Sequence, residues 1–166
     1  MAPSKLEISL ENGHHKTLNT LIGSWKGQTK TWFEPGDPVD VSPMTGTIKP
    51  LFDGRFILHQ YKGIIQGNEF EGIAIYGYQI KTESFQCAWM DTFHMDTGIM
   101  LSEGKNKGNF FDVLGSYQAA PDNPESWGWR TKIEFTGKDQ VKITAFNISP
   151  GGEETKATET VYSRTE

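Results

Sequence analysis

Few side chains in this sequence could move a proton or hold a polar ligand, and most of them fall in two strand-like stretches. Asp91 is the sharpest case. Phe85, Cys87, Trp89, Asp91 and Phe93 alternate along one segment and so share a face, which sets a single carboxylate among apolar and aromatic groups. A carboxylate so placed costs free energy unless it is paired or protonated. Its candidate partners are Arg55, Arg130, His94 or an indole N–H. His94 has the opposite parity and falls where the strand should end. His59 shares a face with Arg55, Ile57 and Tyr61, opposite Phe56, Leu58, Gln60 and Lys62. Both faces are mixed, so parity leaves open which is internal. If the first points inward, His59 and Tyr61 bring an imidazole and a phenol into an apolar cavity, where burial keeps the imidazole a neutral base. The alternative is a sheet histidine, partly exposed or bonded to a neighbouring strand.

Other chemical readings are weaker. Glu103 follows Ile99 and Leu101 on one face, so a second inward carboxylate is expected there, but the separation that glycoside chemistry needs is not legible in sequence. His14 and His15 read as a surface pair at a helix start, and adjacent helical histidines point apart. No Cys or His spacing suits a metal, so no metal or other cofactor is expected. Cys87 has no disulfide partner in the chain. Neither a Gly-x-Ser-x-Gly nucleophile nor a glycine-rich phosphate cradle occurs.

The aromatics suggest a wall. Phe70, Gly72, Ala74, Tyr76 and Tyr78 share one face, and Trp127 and Trp129 share another. Small groups beside large rings open space while the rings contact a guest, and phenol or indole tips fix single polar atoms. Plain core filling is the competing explanation. The expected ligand-binding set is Tyr76, Tyr78, Trp89, Asp91, Trp129 and His59, around a small, largely apolar or aromatic molecule. A cofactor-independent isomerase or cyclase would use the same cavity, with His59, Asp91 and Tyr76 as proton-transfer candidates.

The elements that must position these groups form one long series. Asn12 reads as the cap of a short helix from about Gly13 to Leu21, with Leu18, Leu21 and Ile22 on its apolar side. Strand-like segments follow at Gly23–Phe33, Thr45–Phe52, Arg55–Ile65, Phe70–Ile80, Phe85–Phe93, Gly98–Glu103, Phe110–Gln118, Trp127–Phe135, Val141–Ile148 and Thr155–Arg164. Asp53-Gly54 suits a two-residue type I′ hairpin, and Asn106–Asn109 another turn. The connectors are hairpin-length and no βαβ rhythm appears. The pattern predicts an all-β fold, a closed antiparallel up-and-down barrel of about ten strands with a short N-terminal helix. Residues 1–166 read as one domain, with 1–22 as the N-terminal segment and helix and 23–166 as the barrel.

Composition agrees. Aromatics make up 12% of 166 residues, too many for a disordered chain, and 18 Gly with eight Pro fit many tight turns. The formal charge of −5 comes without a basic stripe, which argues against nucleic acid as a partner. No apolar run reaches transmembrane length and no secretory leader is evident, so a soluble cytoplasmic protein with no membrane partner is expected. A homodimer is compatible with this reading.

Several motifs resemble the bacterial DUF1579 family of uncharacterised proteins. They are Leu21-Ile22-Gly23-Ser24-Trp25-Lys26-Gly27, Asp53-Gly54-Arg55-Phe56, Phe70-Glu71-Gly72 with Tyr76-Gly77-Tyr78, Trp89-Met90-Asp91, and the tail from Ser149 through Val161-Tyr162-Ser163-Arg164. More broadly, the Gly-x-Trp opening and Tyr-x-Arg ending resemble calycin-type barrels, which include lipocalins, fatty-acid-binding proteins and haem-binding nitrobindins. That resemblance implies that Arg164 packs on Trp25 to close one barrel end. Nitrobindin-like proteins hold haem through a late-strand His, and this sequence has no His after His94. A haem ligand from His59 or His94 stays open.

Overall fold

The computed structural model describes residues 2–105, 107–108 and 110–165. Asn106 and Asn109, which bound one expected turn, lie outside the described residues. Two helices come first, α1 (Lys5–Asn12) and α2 (His14–Asn19). Ten strands follow: β1 (Gly23–Thr31), β2 (Asp40–Leu51), β3 (Phe56–Ile65), β4 (Asn68–Gln79), β5 (Ser84–Asp91), β6 (Met100–Lys105), β7 (Phe111–Gln118), β8 (Ser126–Gly137), β9 (Gln140–Ile148) and β10 (Glu154–Arg164). Every strand pairs antiparallel with its sequence neighbours, and β1 pairs with β10 to close the barrel. Closure leaves no unpaired edge. Among the described residues no helix is long and apolar enough to cross a membrane.

The N-terminus differs from expectation. The expected helix is present as α2, and a second one, α1, precedes it because Ser4 and Glu7 form a capping box that starts a helix at Lys5. Asn12 ends that helix rather than capping the next. Gly13, in extended backbone, breaks the run and precedes α2. The His14–His15 pair is not a surface pair either. His15 is buried and its Nδ1 lies 2.8 Å from the Ser9 hydroxyl, while the His14 ring packs 4.2 Å from that of Tyr78. Burial lowers the His15 pKa.

These helices cover one barrel end. Asn19 donates from Nδ2 to the Gly54 carbonyl at 3.2 Å, and the Trp25 indole donates to Leu21 at 2.8 Å. The Arg164 guanidinium lies 4.2 Å from the Trp25 ring centroid and donates to the Ile22 and Thr20 carbonyls at 2.6 and 2.7 Å. The closure that the family resemblance implied is present. The β2–β3 link, however, is not a two-residue hairpin: it runs over 52–55, with Phe52, Asp53 and Gly54 all at positive φ.

Register settles the faces. On β3, Ile57, His59, Gly63 and Ile65 are buried and Tyr61 is half-buried, so the His59 face is the inner one. On β6 the expectation fails: Met100 and Ser102 are buried, whereas Ile99, Leu101 and Glu103 are exposed. Met100 and Ser102 stand opposite Trp89 and Cys87 on β5, and opposed residues of an antiparallel pair share a face. Glu103 therefore points to solvent and bonds Gln86. Phe93 also leaves the inward series, because β5 ends at Asp91 and the chain turns. On β8, Trp129 and Ile133 are buried while Phe135 is exposed and Trp127 half-buried. Arg130 pairs outside with Asp112 and Glu154, so it is no partner of Asp91.

Candidate functional site

The barrel interior away from the helices is polar at its centre and aromatic at its rim. Inward glycines make the room. A Cβ on Gly46 would meet the Tyr162 hydroxyl and His59, and one on Gly72 would collide with Tyr61 and Asp91. Leaving out those methyl-sized groups on β2 and β4 lets three large polar rings sit inside a barrel that aliphatic residues would otherwise fill.

His59, 4% exposed, lies between two phenols: Nδ1 is 3.3 Å from the Tyr76 hydroxyl and Nε2 is 3.3 Å from that of Tyr162. Burial lowers its pKa to about 4, so the ring is neutral near pH 7. The same burial raises the phenol pKa values of Tyr76 and Tyr162 and pushes the Cys87 thiol up to about 12. Nothing at this end of the chamber carries charge at neutral pH.

Asp91 organises the opposite end. Its Oδ1 accepts from the backbone N–H groups of Phe93, His94 and Met95, a short turn folded around one carboxylate oxygen. Its Oδ2 lies 2.6 Å from His94 Nδ1 and accepts, at 3.5 Å, from Tyr61, which in turn accepts the Trp89 indole N–H at 2.6 Å. Burial alone would raise the carboxyl pKa, but the bonds from His94 and the backbone N–H groups of His94 and Phe93 outweigh it and the net shift is downward. Asp91 is thus a carboxylate, able only to accept, so His94 donates from Nδ1 in their contact and its other ring nitrogen, Nε2, takes no part in it. No described residue bonds that Nε2.

Two spaces meet at this rim. An inner chamber of about 80 Å³ is lined by His59, Tyr61, Tyr76, Tyr162, Asp91 and His94 among others. A vestibule of about 290 Å³ opens beside it, bounded by Phe33, Phe93, Met95 and Tyr117. Trp89, His94 and Trp129 line both, and the two indoles stack with centroids 5.0 Å apart and planes 19° from parallel. At about 80 Å³ the chamber by itself has room for only a few waters, while the vestibule at about 290 Å³ is near the lower end of the roughly 300–1,000 Å³ usual for small-molecule sites. Phe33 stacks on Phe93 across the vestibule at 6.4 Å.

Of the residues expected from sequence, His59, Tyr76, Trp89, Asp91 and Trp129 line the chamber. Tyr78 does not: it packs at the helix-covered end against His14 and Phe85. Sequence reasoning passed over Tyr162, and the Thr29–Thr160 hydroxyl pair that bridges β1 and β10 at 2.7 Å. The parity of β10, where Thr160 and Tyr162 are buried and Val161 exposed, carries that signal.

With this geometry in view, comparison with known proteins is informative. The family described as "Protein of unknown function (DUF1579)" matches residues 11–164. The chain belongs to the DUF1579 family. No curated protein matches it. Among solved structures it is similar to Rv2717c from M. tuberculosis, with TM-score 0.59 and 13% identity over 92% of this chain and 98% of that one. It is also similar to the S-type phycobiliprotein lyase CPES from Guillardia theta, with TM-score 0.52 and 9% identity over 99% of each chain. At such identities the likeness concerns the barrel. Family membership likewise accounts for the shared motifs and leaves the chemistry to the site itself.

Proposed function

We propose that this DUF1579 protein binds a small, largely apolar and aromatic molecule, whose flat body lies against the Trp89–Trp129 stack and whose inner end enters the chamber. The observation that carries the reading is the wall shared by the two spaces, two stacked indoles beside the imidazole of His94. Stacked aromatic faces offer contact area without a fixed hydrogen-bond pattern, as a flat apolar guest requires. The barrel likeness to a phycobiliprotein lyase is in keeping with a pigment-like guest. Native mass spectrometry of protein purified from its own source should show a bound small molecule. Titration with 2-acetylnaphthalene should quench tryptophan fluorescence, and Trp129→Leu should weaken that binding. A bare mass together with no quenching up to millimolar probe would end the proposal.

A second reading rests on one observation, the Asp91–His94 pair. A carboxylate that holds an imidazole by Nδ1 and leaves Nε2 unbonded is the arrangement of an oriented proton-transfer group. Asp91→Asn would then abolish conversion of a bound substrate while retaining its binding, whereas a pure binding protein converts nothing.

A further inference from the structure

The inner chamber has a specific appetite that follows from counting protons. His59 is neutral, so it carries one N–H and one lone pair. It meets two phenols, Tyr76 at Nδ1 and Tyr162 at Nε2. Three protons are therefore shared between two hydrogen bonds. In either tautomer one phenol donates to the imidazole lone pair, and the other receives the imidazole N–H and keeps its own proton. No described residue accepts that proton. Both phenols line the chamber, so either tautomer presents a free O–H there. Tyr76 and Tyr162 are 3% and 1% exposed, which puts this donor out of reach of bulk water. A buried hydroxyl without an acceptor is costly, so the chamber rewards a guest that brings one.

We propose that the chamber receives the neutral carbonyl oxygen of an aromatic or conjugated ketone, aldehyde or quinone, hydrogen-bonded by the spare phenol proton of the Tyr76–His59–Tyr162 relay. The inference rests on the binding reading above and names the chemistry of the guest's inner end. The charge distribution selects the neutral form of the acceptor. No lysine or arginine lines the chamber, and the ionised Asp91 faces it from the rim. A carboxylate or phosphate would be buried beside the like charge of Asp91 with no lysine or arginine to offset it, which is unfavourable. Met44, Ile143 and Ala145 present apolar surface to the chamber, and of its threonine hydroxyls Thr29 and Thr160 bond each other. The carbonyl-bearing ring would extend outward to the Trp89–Trp129 stack.

The test uses three probes of one shape on the full chain: 2-acetylnaphthalene, 2-isopropenylnaphthalene and 2-naphthoate. Affinities come from tryptophan quenching and calorimetry. The ketone should bind about tenfold tighter than the alkene, the worth of one buried neutral hydrogen bond. It should also bind tighter than the carboxylate, and its C=O stretch should fall below the value in hydrocarbon solvent. In Tyr76→Phe/Tyr162→Phe the ketone and alkene should bind alike, and the single variants identify which phenol donates. If ketone and alkene bind wild type equally, or the carboxylate binds best, the carbonyl subsite is refuted while binding itself stands. If none of the three binds, the binding reading falls and takes this one with it. Should the double variant not fold, the probe pair and the infrared shift on wild type still decide.

Discussion

His59 makes the protein acid-sensitive in a calculable way. The ordinary histidine pKa is near 6.5 and burial lowers this one to about 4. Between those values the unfolded chain binds a proton here that the native protein refuses, so falling pH favours unfolding. The loss begins as pH drops through about 6.5 and is complete near 4. At about 1.4 kcal/mol per unit the shift amounts to about 3 kcal/mol, a sizeable share of a typical domain's stability. The perturbation is His59→Gln, which keeps a donor and an acceptor between the phenols but does not titrate. Urea unfolding followed by tryptophan fluorescence, at pH steps from 7.5 to 4, yields both curves. His15 and the carboxylates act on both proteins alike, so their difference isolates His59. The variant is expected to be less stable than wild type at pH 7.5, where native packing favours the imidazole, and the gap should narrow by about 3 kcal/mol towards pH 4. Parallel curves would refute the reasoning, because they would mean that His59 takes up its proton as readily folded as unfolded.

Arg164→Lys should cost about 1–2 kcal/mol in urea unfolding, since it weakens the stack on Trp25 and cannot reproduce the forked donation to Thr20 and Ile22; an unchanged midpoint would count against that end closure. Gly72→Ala forces a methyl against Tyr61 and places it 2.7 Å from the Asp91 Cβ. It should destabilise by about 1–3 kcal/mol and shift tryptophan emission as the Trp89–Tyr61 bond is disturbed, whereas a neutral outcome would show that the ring cluster yields easily. Asp91→Asn turns an acceptor towards His94 into an amide donor or withdraws one from the 93–95 backbone. It should cost about 1.5–3 kcal/mol, change the ¹⁵N shift of His94 Nδ1 and speed proteolysis within 92–99, and an unaltered Nδ1 signal would undo the assignment of Asp91 as its orienting group.

Much of the barrel was legible because side-chain direction in a strand has period two. Trp129 and Ile133 on β8, Val141 on β9, and Phe85 and Cys87 on β5 all lie inside as their alternation demands. Glu103 and Phe93 failed for reasons that alternation cannot contain. Parity on β6 depends on which residue stands opposite Trp89, and β5 stops where a carboxylate finds three backbone N–H groups to hold. The expected helix is present as α2, but α1 before it went unread because its only strong signal is the Ser4–Glu7 capping box. The candidate site was half visible. His59, Tyr76, Trp89, Asp91 and Trp129 could be named from chain position, but Tyr78 packs at the helix-covered end and Tyr162 was overlooked.

The sequence alone determined the kind of object, since turn residues and alternation are local properties that each hairpin expresses by itself: a closed antiparallel barrel with aromatic groups and Asp91 turned inward. Only the tertiary structure decided what those groups do. His59 meets Tyr162 across 103 positions and Tyr61 meets Asp91 across 30, and such pairings exist only once β1 has closed on β10 and the register of every strand is set. Closure also buries His59 almost completely, and dehydration, a property of the whole barrel, keeps it neutral and its phenols protonated.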